Sequence, residues 1–163
     1  MTSVDDKTVV DKNEVNKNAI KTPDKLVGSW KLVSASSTTR DGERNETPYG
    51  PDPVGFLTYG LDGRVTALIS NGGRKVLSVG GGQPEEQAEA FRTFLAYAGR
   101  YTLTDDKVIH FVEISSIQNY VGKELVRNIR FQNNHITLVT PPTRINGKIQ
   151  TVELIWQRLG TSS

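Results

Sequence analysis

Cysteine is absent from this 163-residue chain, which excludes disulfides, thiolate metal sites and cysteine nucleophiles. Histidine occurs only as His110 and His135. Two imidazoles without a thiolate are a poor basis for zinc, and no metal is expected. No apolar run approaches the roughly 20 residues that a membrane-spanning helix needs. The first residues also lack the apolar core of a secretory signal. A cytoplasmic protein is therefore the expectation, with a mature secreted form as the alternative. An excess of one charge is missing as well, since 20 Lys and Arg against 18 Asp and Glu leave a net charge of +2. Nucleic-acid binding would ask for a basic stripe, so no such partner is expected. Nucleophile signatures such as Gly-x-Ser-x-Gly and Ser-x-x-Lys are absent. Gly80-Gly81-Gly82 is not a phosphate loop, because neither the Lys-Ser/Thr nor the strand–helix context follows. No cofactor is expected.

What the chain does have is turn and strand residues. Fifteen glycines, seven prolines and abundant Val, Ile and Thr suit a β-rich fold of one domain. Residues 1–24 read as a charged, flexible tail, and the domain as residues 25–160. The first strand runs from Leu26 to Ser37, with Trp30, Leu32, Ser34 and Ser36 on one face and Lys31, Val33 and Ala35 on the other. Residues 38–53 form a long loop of the kind that often serves as a lid. Val54–Tyr59 and Val65–Ser70 make a hairpin around Asp62-Gly63. Arg74–Val79 is a candidate short strand. Pro84 to Ala98 reads as the single helix, with Pro84 in the first turn and Glu85 and Glu86 at the positive end of the dipole. Ala88, Phe91, Leu95 and Ala98 form its apolar stripe, which would pack on the sheet, and Gly99 would end it.

Turn positions then set register. A two-residue turn at Asp105-Asp106 pairs Leu103 with Val108 and Tyr101 with His110. It places Tyr101, Leu103, Val108, His110, Val112 and Ile114 on one face. A turn at Asn133-Asn134 pairs Phe131 with Ile136, Ile129 with Leu138 and Arg127 with Thr140. Asn146-Gly147 is a strong type I′ signal, followed by Val152, Leu154 and Trp156 in alternation. About eight strands at hairpin spacing with one flanking or capping helix predict a mainly β antiparallel barrel, able to hold one small ligand.

Gly28-Ser29-Trp30 near the start and Trp156-Gln157-Arg158 at the end resemble the calycin pattern, in which a Gly-x-Trp packs against a late Arg. Gly55-Phe56-Leu57-Thr58-Tyr59, Asp62-Gly63-Arg64, Tyr97-Ala98-Gly99-Arg100-Tyr101, His110-Phe111-Val112-Glu113 and Asn119-Tyr120-Val121-Gly122 extend the likeness. Taken in order, they resemble the bacterial and fungal lipocalin-like domain family over about Leu26 to Arg158. The resemblance implies a closed barrel with an apolar interior. Barrels of similar architecture act as cyclases or isomerases on polyketide-like or terpenoid intermediates, an analogy of fold alone.

Three polar residues fall in apolar phase. His110 is either an acid/base or hydrogen-bonding group for a ligand, or a buried histidine satisfied by Tyr101 or the backbone. Its spacing from Glu113 puts the two on opposite faces. Arg127 requires a partner, which is Glu113, Glu124 or a carbonyl-bearing or anionic ligand. Tyr101, His110 and Arg127 are thus the candidate catalytic set, as donor, acid/base and oxygen-binding group. Tyr59, Asn119, Tyr120, Trp30, Phe131 and Leu138 are candidate ligand-lining residues, although Trp30 with Arg158 also reads as structural. Three functions follow: a cofactor-free cyclase or isomerase acting on an apolar secondary metabolite, a non-catalytic carrier or sensor of a small hydrophobic molecule, or a barrel filled by its own side chains. A homo-oligomer is left open.

Overall fold

The structure is a computed structural model that describes residues 25–160. The charged segment 1–24 lies outside the described residues. Ten strands are present: β1 (Gly28–Thr39), β2 (Arg44–Asn45), β3 (Val54–Tyr59), β4 (Arg64–Ser70), β5 (Phe94–Leu103), β6 (Lys107–Ser115), β7 (Glu124–Gln132), β8 (His135–Val139), β9 (Thr143–Ile145) and β10 (Lys148–Arg158). One helix, α1 (Pro84–Arg92), and a single 3₁₀ turn at Gln118–Tyr120 complete the described elements. The antiparallel strands follow the order β1-β3-β4-β5-β6-β7-β8-β10, and β10 pairs back onto β1. The sheet is therefore a closed barrel of eight strands, with the short β2 and β9 attached to β1 and β10. No helix among the described residues is long and apolar enough to cross a membrane.

The hairpin turns place the residues beside them as the turn chemistry requires. Tyr101 pairs with His110 and Leu103 with Val108; Phe131 pairs with Ile136 and Ile129 with Leu138. Asn146 and Gly147 both have positive φ, at 50° and 80°, as a type I′ turn demands. Alternation then sends Leu57, Tyr59, Val65, Ala67, Val108, Ile136, Leu154 and Trp156 inward, and all are buried.

The Gly-x-Trp and the late Arg meet at the β1–β10 seam. Trp30 Nε1 donates to Leu26 O at 3.0 Å. The Arg158 guanidinium lies 4.2 Å from the Trp30 ring centroid. It donates to Val27 O at 2.7 Å and also to Lys25 O. Gly28 has a φ of +131°, and a Cβ there would stand 2.8 Å from Arg158 Nη1. Only glycine combines that backbone with that approach.

Several sequence expectations are corrected. The helix stops at Arg92, six residues earlier than Ala98. Thr93 Oγ1 donates to Glu89 O at 2.7 Å, and the chain from Phe94 to Arg100 pairs residue for residue with β4. Cross-strand pairing wins over the helical stripe because Leu95, Tyr97, Gly99 and Tyr101 also fit a period of two. No residue of α1 is buried and Phe91 is 59% exposed, while Leu95 of the expected stripe packs against the core from β5. Residues 74–79 form no strand. The 38–53 connection carries the short β2. In β1 the register shifts between Leu32 and Ser34. That bulge turns Ser34 outward and brings Ala35 into the core, reversing the expected faces beyond it. In the β5–β6 pair a second shift sets Ala98 against Ile114 and Gly99 against Val112, leaving Glu113 as the extra residue. Ile114, expected inside, is consequently 67% exposed.

Candidate functional site

Inside the barrel lies a cavity of about 490 Å³. That volume is in the range of small-molecule sites and sets aside a barrel filled by its own side chains. Its walls are Leu57, Ala67, Ile69, Leu138, Val152 and Leu154, all from the inward phase of their strands. Tyr49, from the connection after β2, covers part of it. The polar residues on the lining include Tyr97, His110, Tyr120, Glu124, Arg127 and Thr140.

His110 is held from both sides. Tyr59 Oη lies 2.8 Å from its Nε2 and Tyr97 Oη 2.8 Å from its Nδ1. The ring is 1% exposed. Burial, aided by the Arg127 guanidinium, pushes its pKa down to about 3, so the imidazole is neutral. Burial also raises Tyr97 to about 12 and carries Tyr59 well above its ordinary value. Both phenols stay protonated. A neutral imidazole with both nitrogens engaged by phenols is poorly matched to proton transfer near neutral pH. The sequence expectation that Tyr101 would satisfy His110 is corrected: Tyr101 pairs with it in register but donates its hydroxyl to Gly60 O at 3.0 Å. It also stacks edge-on against Tyr59, with ring centroids 4.8 Å apart.

Arg127 is half-buried on the inner face of β7, paired with Val108 and two residues from the Leu125 that faces His110. Its Nη1 donates to Val126 O at 2.8 Å. It has no ion-pair partner among the described residues. Glu113, one of its expected partners, is outside the barrel, where it binds Arg64 at 2.8 Å and Arg100 at 3.1 Å. Glu124 shares the cavity lining but lies three residues away on the same strand. Burial raises the phenols of Tyr49, Tyr59 and Tyr97, and the guanidinium partly offsets that rise while adding to the lowering of His110.

Of the nominated residues, the structure brings His110, Arg127, Tyr120 and Leu138 together on the lining. Tyr59 stands behind His110. Tyr101 and Trp30 lie in the core away from the cavity. Phe131 packs against the core with Lys25 Nζ 4.8 Å from its ring centroid. Asn119 is exposed on the 3₁₀ turn. Sequence reasoning missed Tyr97, assigned to the helix, and Tyr49, hidden in the long loop. The alternation Tyr97, Gly99, Tyr101, Leu103 was the signal that could have placed Tyr97. No cluster of three or more metal-ligating side chains exists among the described residues.

Residues 27–159 match the lipocalin-like domain family. Over 87 residues the chain is 37% identical to the 4'-hydroxy-3'-methoxypropiophenone carrier protein ppsC of Aspergillus oryzae, a match covering 48% of this chain and 78% of that protein. Among solved structures, a lipocalin-like protein from Bacteroides uniformis is similar at 14% identity, covering 83% of this chain and 99% of that one with a TM-score of 0.43. An uncharacterized protein from Bacteroides eggerthii is similar at 13% identity over 82% of this chain and 99% of that one, with a TM-score of 0.41.

Proposed function

The chain belongs to the lipocalin-like domain family, and we propose that its barrel is a carrier for a small, largely apolar aromatic molecule bearing an oxygen that Arg127 receives. One observation carries this reading: a half-buried guanidinium without an ion-pair partner among the described residues, set in the wall of a largely apolar cavity. A cation taken partly out of water needs compensation, and a ligand carbonyl or phenolate supplies it in the fork geometry arginine favours. The similarity to a carrier of an aryl ketone agrees with the chemistry of the lining. Carriage is favoured over turnover because His110, the only imidazole on the lining, is neutral and occupied at both nitrogens.

A cyclase or isomerase acting on a polyketide-like or terpenoid intermediate is the second reading. It is favoured by one feature: Tyr97 and Arg127 are both donors on one cavity wall and would polarise a carbonyl held there. One experiment separates the two. The purified protein is titrated with 4'-hydroxy-3'-methoxypropiophenone by calorimetry and the ligand is recovered after long incubation. Saturable one-to-one binding, a loss of about tenfold or more in Arg127→Met and chemically unchanged ligand support the carrier. Conversion of the compound supports the enzyme. Absence of binding overturns both as applied to aryl ketones.

A further inference from the structure

Of the two ways to place the hydrogens of the Tyr59–His110–Tyr97 chain, each leaves one phenol O–H over, and only one of them leaves it on the residue that lines the cavity. Neutral imidazole carries one N–H and one bare nitrogen. Among the described residues, the sole hydrogen-bond partner of the Tyr59 hydroxyl is His110 Nε2, and Tyr59 is 1% exposed. If Nε2 carried the proton, the Tyr59 O–H would be buried with no acceptor, a costly state. Tyr59 therefore donates to Nε2, the proton sits on Nδ1, and Nδ1–H donates to Tyr97 Oη at 2.8 Å. Tyr97 is then an acceptor toward the histidine. Its own O–H is left over, and Tyr97 lines the cavity.

Arg127, which only donates, stands on the same lining, with the Glu124 carboxylate at its exposed end.

We propose that the Tyr59–His110 pair fixes Tyr97 as a hydrogen-bond donor into the cavity, making Tyr97 a specificity-determining residue that selects ligands by an acceptor oxygen. The proposal rests on the binding role stated above and deepens it: the ligand class is an aryl ketone or similar carbonyl compound, and compounds presenting only donors or no oxygen are discriminated against. Tyr59 and His110 act through Tyr97 and are positioning residues.

The test uses propiophenone and propylbenzene, which are alike in size and differ in the carbonyl. Affinities are measured by calorimetry, and the carbonyl stretch of bound propiophenone by infrared difference spectroscopy. The wild type is expected to prefer propiophenone and to shift the stretch below its position in hexane. Tyr97→Phe and Tyr59→Phe should each cut the preference about fivefold, the effect of one neutral hydrogen bond. Both should move the stretch back toward the hexane value and leave propylbenzene binding within about twofold. The Tyr59 variant is decisive, because that side chain does not line the cavity. A wild-type stretch at the hexane position overturns the proposal without any variant. So does an unchanged preference in Tyr97→Phe, or a loss in Tyr97→Phe that Tyr59→Phe does not share. Equal binding of the two probes leaves carriage of a small apolar molecule standing and removes this proposal together with the oxygen contact to Arg127. Binding of neither removes both.

Discussion

Lowering the pH to 5 should destabilise this barrel through a single imidazole. Folded His110 stays neutral down to about pH 3, whereas in the unfolded chain it takes up a proton near 6.5. Between those values the unfolded state holds one more proton than the folded state, so stability is complete above about pH 6.5 and is lost as pH falls toward 3. The loss is a little over 1 kcal/mol per pH unit, or about 2 kcal/mol between pH 7 and pH 5. The paired surface carboxylates do not confuse this window. Their folded pKa values, that of Glu113 among them, are lowered from about 4.5, and their contributions fade only as pH falls below that value. Urea unfolding followed by tryptophan fluorescence is the assay. With a slope of about 2 kcal/mol per molar urea, the midpoint should drop by about 1 M from pH 7 to pH 5. His110→Gln removes the titrating ring. That variant should be less stable at pH 7, having lost its links to Tyr59 and Tyr97, but nearly flat across the same interval. His135 remains in both proteins and cancels. Parallel losses in the wild type and in His110→Gln would refute the reasoning. They would mean that the cavity wets the imidazole enough to titrate it in the fold. The wild type alone gives a check by nuclear magnetic resonance: the His110 ring protons should not shift between pH 7 and pH 5.

The remaining predictions concern the frame. A Cβ at Gly99 would lie 1.9 Å from Phe111 O on the neighbouring strand, and this contact is with backbone, so Gly99→Ala should cost about 3 kcal/mol or prevent folding. Gly160→Ala, where a Cβ meets nothing within 4 Å, should leave the thermal midpoint unchanged and serves as its control. Arg158→Met should cost about 2 to 4 kcal/mol in urea unfolding, since it removes donors to the Val27 and Lys25 carbonyls and the cation over Trp30. Its binding of small aromatics should be preserved if it stays folded, because neither Arg158 nor Trp30 lines the cavity.

How far the sequence could be read depended on distance from a turn. A two-residue hairpin fixes register in the strands on either side, and residues within a few positions of Asp105-Asp106 and Asn133-Asn134 were placed correctly: Tyr101, Leu103, Val108, His110, Ile129 and Leu138. Phase propagates along a strand only until an extra residue breaks it. The bulge at Val33 reversed the faces of β1 beyond Leu32, and the one at Glu113 turned Ile114 outward. Nothing in the local pattern announces either, because a bulge is selected by barrel curvature and not by the residues flanking it. The helix boundary failed for a related reason. Ala88, Phe91, Leu95 and Ala98 satisfy a helical period, while Leu95, Tyr97 and Gly99 satisfy a strand period. The pairing with β4 that decides between them is a contact some 30 residues away in sequence.

The same logic explains why the candidate site was half visible. His110 and Arg127 sit within a few residues of well-determined turns and stood out as polar groups in apolar phase. Their partners come from beyond the points where phase is lost. Tyr97 lies past the β5–β6 irregularity, Tyr59 reaches His110 from three strands away, and Tyr49 descends from the long connection. A pairing argument matched His110 with the residue opposite it, Tyr101, because backbone register is what hairpins encode. The imidazole instead bonds diagonally and across the barrel, to Tyr97 and Tyr59. Closure of the sheet creates such cross-barrel neighbours, and closure is set by the β1–β10 seam and not by any one hairpin. The chemical character of the cavity was therefore legible from two strands, while its hydrogen-bond polarity, which decides what it can hold, depends on a contact only the closed barrel makes.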